Sequence, residues 1–200
     1  MKRLPANEAA LEKILKAGKL PFNVEWYDTH RSTNKRARDI GSLEKKKPCV
    51  IIANAQTEGR GRLGRTWHSP DGEGLWFSIV CFPEMSLQKV TTLTVKTGKA
   101  VQRFLGREFN IDAAIKYPND LLVDGKKICG ILAESDTIAG KNTPEFVVLG
   151  TGINLKTTFP DDLKEICTSV KDHWKGTFRS NELLIADVVA EIVRECELKL

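Results

Sequence analysis

The chain has 200 residues, 41% of them hydrophobic and 28% charged, with a formal net charge of +5 at pH 7. That length supports one sizeable core, or one core with a small appendage, and no apolar run approaches the roughly 20 residues a membrane-spanning helix needs. The basic start Met1-Lys2-Arg3-Leu4-Pro5 leads into no apolar stretch, and the five scattered cysteines (Cys49, Cys81, Cys129, Cys167, Cys196) contain no C-x-x-C pair; secretion, a zinc ribbon and a redox motif are therefore not expected, and the thiols read as reduced residues of a cytoplasmic protein.

In chain order, the spacing predicts a short amphipathic helix over residues 8–17, a strand over 22–27 and a helix over 33–40. Lys45-Lys46-Lys47 reads as a solvated loop. The continuous apolar run at 49–53 predicts a buried strand. Residues 57–70 hold three arginines and three glycines and almost nothing to bury, so they form a loop. A strand follows at 75–82 and a helix at 90–105. Short strands are predicted at 113–116, 121–123 and 128–133, the last two joined at Asp124-Gly125, a strong hairpin signal. A buried strand at 145–150 and a helix at 181–196 complete the chain. The apolar stripe of that helix is Leu184, Val188, Val189, Ile192, Val193 and Cys196. Strands come partly in hairpins and partly between helices, which argues for an α+β architecture: a mixed sheet with helices packed on it.

The loop carries the chemistry. Gly59, Gly61 and Gly64 satisfy G-x-G-x-x-G, but Arg65-Thr66-Trp67-His68-Ser69-Pro70 follows instead of a helix. A dinucleotide site needs that helix and a second strand ending in an acid, so this reading is set aside. Glycines let backbone approach a ligand closely. Arg60, Arg62 and Arg65 are permanent cations with forks suited to phosphate and carboxylate, and Trp67 supplies an aromatic cover. A loop with so little to bury is expected to be mobile when empty and to order on an anionic ligand; the plainer alternative is a flexible surface loop.

Three further stretches stand out. Lys116-Tyr117-Pro118-Asn119-Asp120 groups a lysine, an amide and a carboxylate around a stiff proline. Asp120 is a candidate Mg²⁺ ligand, although Pro-Asn-Asp is also good turn chemistry. Strand alternation puts Lys127 on the same face as Cys129 and Ile131, the predicted core face, where it needs an anionic partner; an ordinary lysine at a strand end is the alternative. Gly150 and Gly152 end a strand, as a bulge would require or a closely approaching ligand.

The order and spacing of these pieces resemble the biotin protein ligases. Ser32-Thr33-Asn34 follows the first strand. Gly59 to Pro70 matches G-R-G-R-x-G-R-x-W-x-S-P. Lys116 to Leu121 matches K-W-P-N-D-L apart from Tyr117. Lys127 precedes Gly130-Ile131-Leu132, and Gly150 to Asn154 matches G-x-G-I-N. The resemblance spans about residues 22–200.

It implies the α+β catalytic fold of biotin and lipoate ligases, similar to class II aminoacyl-tRNA synthetases. Ser32, Thr33 and Gln56 would bind the biotin ureido ring, with Gly59, Gly130 and Gly150 lining the pocket. Arg60, Arg62 and Lys127 would meet the biotin carboxylate. Arg60, Arg62, Arg65, Trp67, Asn119, Lys127, Asn154 and Trp174 would face the nucleotide. Lys127, Arg62 and Asp120 would be the catalytic groups, Asp120 also holding Mg²⁺. The implied reaction uses ATP to make biotinyl-5′-AMP and passes biotin to a lysine of a biotin carboxyl carrier protein.

Bifunctional relatives carry a winged helix-turn-helix before this region, and most members carry a small SH3-like domain after it. The chain reads as a single catalytic domain over 1–200 without either, so neither nucleic acid nor membrane is an expected partner. Monomer and homodimer both occur in the family. Two other readings stay open: a lipoate or octanoate ligase-like enzyme, and a non-catalytic biotin- or adenylate-binding module. The basic loop alone would also suit nucleic acid, which predicts steeply salt-dependent binding.

Overall fold

Seven strands pair into one mixed sheet in the computed structural model, which describes residues 1–43, 47–137 and 140–199. Lys45 and Lys46 of the lysine run lie outside the described residues. The strands are β1 (Asn23–His30), β2 (Cys49–Gln56), β3 (Gly74–Cys81), β4 (Ala114–Lys116), β5 (Asp120–Val123), β6 (Lys126–Thr137) and β7 (Pro144–Asn154). Their order is β1-β2-β3-β7-β6-β5-β4. Only β1 and β2 run parallel, joined by the crossover helix α2 (Thr33–Gly41); every other neighbour is antiparallel. The α+β expectation therefore holds. The turn between β5 and β6 has φ of 50° at Asp124 and 78° at Gly125. Two left-handed residues in a row give the tight hairpin that Asp-Gly announces.

Alternation along the strands divides the core. Leu75, Phe77, Ile79, Leu149 and Ile153 point to one face, covered by α4 (Leu93–Phe109) and α7 (Asn181–Cys196), with α1 (Pro5–Ala17) packed on α7 and β1. Ile51, Ala53, Val80 and Val148 point to the other, under Ala37 and Ile40 of α2. β3 is buried at every position, as a central strand covered on both faces must be. The part of the second face beyond α2 is left for a site. Among the described residues no helix is long and apolar enough to cross a membrane.

Three boundaries differ from the sequence reading. The helix expected over 90–105 is two: α3 (Leu87–Val90) and α4. At the break, the hydroxyls of Thr91 and Thr92 donate to the carbonyls of Gln88 and Lys89, each at 2.7 Å, and such bonds compete with helix continuation. Two short helices, α5 (Asp161–Lys164) and α6 (Val170–His173), are too brief to show a period. β7 runs on through Gly150-Thr151-Gly152 to Asn154.

Glu191 of α7 is 2% exposed and faces Arg107 and Arg103 of α4 and Arg194 of its own helix. Burial opposes its charge, but the three guanidinium groups outweigh that and hold the carboxyl below the usual range. A folded-state value below the unfolded one means the contribution is complete above about pH 4.3 and is lost as pH falls through the folded value. Glu191→Gln is expected to lower stability by about 1 kcal/mol at pH 7, because the arginines are half-exposed. It should lower it progressively less as pH falls through the folded value. Melting curves from pH 7 to pH 2.5 check this; an equal loss at both ends would deny the ion cluster its role.

Candidate active site

A cavity of about 320 Å³ opens on the second face of the sheet, over β6 and β7. Its floor is glycine. A Cβ at Gly150 would run into Asn34 Oδ1, one at Gly152 into the indole of Trp67, and one at Gly130 would lie 2.8 Å from the same ring. The glycines therefore do not end a strand. They continue it with no side chains, so that other groups can lie against the backbone.

One end of the cavity is neutral and polar. Ser32 caps α2, its Oγ accepting from Lys35 N–H. The Thr33 N–H donates to Gln56 Oε1 at 2.8 Å, with Thr33 Oγ1 3.2 Å from the same oxygen. Gln56 Nε2 donates to Ser69 Oγ at 2.9 Å. His30, buried behind this corner, accepts the Ser32 N–H at Nδ1 (3.1 Å) and leans on Tyr27. Burial pushes the His30 pKa down, which keeps the ring neutral and Nδ1 free to accept. No sequence motif marks His30; only its place two residues before Ser32 hints at it.

The other end is cationic. Arg60, Arg62, Arg65 and Lys127 line it against the single carboxylate of Asp120. The arginine loop is a finger closed by its own backbone: Trp67 N–H to Gly59 O (2.9 Å), Gly61 N–H to Arg65 O (2.7 Å) and Arg65 N–H to Arg62 O (3.2 Å). A 3₁₀ turn at Arg62–Gly64 forms its tip. Arg62 donates to Asn119 Oδ1 (3.2 Å), Asn119 Nδ2 to Asp120 Oδ1 (2.8 Å), and Lys127 Nζ lies 2.8 Å from the same carboxylate oxygen. Lys127 Nζ also sits 4.9 Å from the centre of the Trp67 ring, a cation–π contact.

Strand alternation misplaced Lys127. Leu121 pairs with Cys129 and Leu122 with Lys127, so Ile128 is an extra residue, a β-bulge that reverses the facing of what precedes it. Cys129 and Ile131 enter the core beside α4 as expected. Lys127 turns instead to the cavity face, where its Cε lies 3.2 Å from the Cβ position of Gly130.

The structure thus brings Ser32, Thr33, Gln56, Arg60, Arg62, Arg65, Trp67, Asn119, Asp120, Lys127, Gly130 and Gly150 around one cavity. Three expected residues stand elsewhere. Gly59 packs beneath the carbonyl of Trp67, where a side chain would not fit. Asn154 acts on backbone, its Nδ2 donating to the carbonyls of Lys127 (3.3 Å) and Thr168 (3.0 Å). Trp174 turns its ring edge-on to Phe109 and Phe178, 5.1 Å from each, and lies half-buried against the core outside the cavity lining. Sequence reasoning missed Ser78 and Glu134 and gave Asn34 no role. Asn34 sits in the Ser-Thr-Asn triplet, but Ser78 and Glu134 join it only through the fold.

Among the described residues no three His, Cys, Asp or Glu side chains gather as a metal site. A divalent cation would need phosphate oxygens in addition to Asp120, the pattern usual for Mg²⁺ on a nucleotide. The residues fit that arrangement and no protein-only metal centre.

Cys167 is half-buried beside Lys127; the other four cysteines are buried. Burial pushes the thiols of Cys49 and Cys81 up to about 12 and that of Cys196 to about 11, and raises Cys129 as well. A maleimide is expected to modify Cys167 first in the native protein, read by peptide mass. Early labelling of any of the other four would contradict the packing described.

A family model described as the biotin/lipoate A/B protein ligase family matches residues 26–154. The chain belongs to that family. The bifunctional ligase/repressor BirA of Bacillus subtilis is 35% identical over 167 residues, which is 82% of this chain and 51% of BirA. The biotin protein ligase of Aquifex aeolicus, solved with biotin and ATP, matches with a TM-score of 0.72 and 26% identity over 87% of this chain and 70% of that one. The biotin protein ligase of Leishmania major, solved with biotinyl-5-AMP, shares the fold (TM-score 0.72, 23% identity, 87% of this chain and 74% of that one). The chain spans about half the length of the curated relatives it matches.

Proposed function

We propose that this chain, acting as one catalytic unit, activates biotin with ATP and transfers it to a lysine of a biotin carboxyl carrier protein. The two-ended cavity is the observation that carries the reading. A neutral corner at Ser32, Thr33 and Gln56 suits the ureido ring, and a cationic end at Lys127, Arg60 and Arg62 suits a carboxylate and phosphates. The relatives solved with biotin, ATP or biotinyl-5-AMP support the same assignment. The cytoplasmic setting is part of this proposal.

In this mechanism the biotin carboxylate attacks the α-phosphate and pyrophosphate leaves. The carrier lysine then attacks the mixed anhydride and AMP departs. No protein nucleophile is needed. The side chains neutralise charge and fix geometry. Lys127 exchanges Asp120 for the ligand carboxylate, and Arg60, Arg62 and Arg65 meet the phosphates. Asn119 and Asp120 would hold Mg²⁺, which supplies further charge neutralisation there. Trp67 and the finger exclude water from the anhydride.

The test mixes the protein with biotin, Mg·ATP and a carrier domain, and follows pyrophosphate and carrier mass. Pyrophosphate with a biotin-sized gain on the carrier supports the whole reading. Pyrophosphate alone restricts it to adenylation, and neither signal rejects it. Lipoate in place of biotin separates the related activity.

A further inference from the structure

The sheet changes partner beside Lys127. On one side β6 pairs with β7, and that ladder reaches as far as Cys129 with Ile153. β7 ends one residue later at Asn154, and Leu155 and Lys156 turn away to the Glu73 carbonyl. Lys127 thus stands past the end of its neighbour, with a backbone N–H and C=O still to satisfy. A segment from further along the chain takes the place of β7. Lys127 N–H donates to the Ile166 carbonyl (2.8 Å), and Thr168 N–H donates to the Lys127 carbonyl (3.0 Å). Lys127 and Cys167 form a parallel bridge there, where the pairing with β7 was antiparallel.

Asn154 fills the corner between the two partners. Its side chain is buried, and Nδ2 donates to the carbonyls of both Lys127 and Thr168. Thr168 is buried too, and among the described residues this amide is the one donor to its carbonyl. The bonds from Ile166 and Thr168 tie Lys127 to the segment but let the two shift together. The ladder with β7 does not fix Lys127 either, because the bulge at Ile128 stands between them. Lys171 N–H also reaches the end of β7, at the Leu155 carbonyl (2.8 Å), but it holds α6 and does not touch Lys127. Asn154 is therefore the direct link from Lys127 to β7, whose Gly150 and Gly152 floor the cavity.

We propose that Asn154 is a positioning residue for the adenylation step. Its amide holds the Lys127 main chain against the end of the glycine floor, and through it the ammonium over the cavity. The inference rests on the catalytic reading above and deepens it. In this role Asn154 touches no ligand, since its donor is spent on two protein carbonyls. A direct contact with the nucleotide, the expectation from the sequence, is the outcome the test must separate.

A double-mutant cycle of Asn154→Ala and Lys127→Ala on the full chain makes that separation. Pyrophosphate release is read at saturating biotin and Mg·ATP. Asn154→Ala alone is expected to slow it about tenfold, because even about 1 Å of misplacement is costly in a preorganised site. Added to Lys127→Ala, the same substitution is expected to cost less than about twofold, since no ammonium is left to aim. ATP affinity by titration calorimetry in that background is expected to change by less than about twofold as well.

A full further loss of rate in the Lys127→Ala chain, or a severalfold fall in its ATP affinity, overturns the proposal. So does a wild-type rate in Asn154→Ala alone. A wild-type chain that releases no pyrophosphate instead rejects the catalytic reading itself. Melting curves confirm that each chain folds. If Asn154→Ala does not, Asn154→Ser, whose shorter side chain cannot bridge both carbonyls, takes its place in the cycle.

Discussion

Lys127→Ala is expected to slow biotinyl-adenylate formation by about a hundredfold or more, on the scale of losing one preorganised contact to developing charge. Lys127 Nζ is held by Asp120 and lies over Trp67. Its backbone is clamped by Ile166, Thr168 and Asn154. The charge is therefore in place before a ligand arrives, which is what makes its loss costly. Removing it also leaves Asp120 unpaired among the phosphate-facing groups, where a free carboxylate repels the nucleotide. Stopped-flow pyrophosphate release at saturating biotin checks the expectation. A rate within a few-fold of wild type would remove Lys127 from the chemistry.

Gly150→Ala is expected to cost about 2–3 kcal/mol and to abolish biotin binding. The added methyl meets Asn34 Oδ1 directly. Asn34 cannot step aside without surrendering its bonds to Glu134, Leu132 and Ser78. For a domain of this size that is a fall of about 5–10 °C in melting temperature. Calorimetry and biotin titration of the variant measure both effects; a wild-type melt would mean the wall is not closed as described.

The strands and the long last helix were legible because their apolar period is undisturbed. The stripe of residues 181–196 coincides with α7 (Asn181–Cys196). The arginine finger, which lines the cavity, was legible as an irregular segment from composition alone. Its shape was not, because it is made by backbone bonds that no side-chain pattern announces. β7 was read four residues short because Gly150 and Gly152 interrupt its apolar run; they continue the strand only since Asn34 and Trp67 fill the space from elsewhere in the chain. The packing of Trp174 was not legible for the converse reason. Its aromatic partners, Phe109 and Phe178, come from α4 and from the stretch before α7. The wall of Asn34, Ser78 and Glu134 comes from three separate elements, and no local spacing joins them.

The bulge at Ile128 has a consequence for how this chain can vary. It acts as a phase shift: one extra residue in β6 turns the strand by half a period, and with it the destination of a positive charge. Deleting Ile128 would keep Lys127, then next to Cys129, on the cavity face with Gly130, but it would take a fully buried side chain from the core and shorten the stretch between Lys127 and Gly130 by one residue. The site thus tolerates exchange of one aliphatic residue for another at position 128 far better than a change in their number.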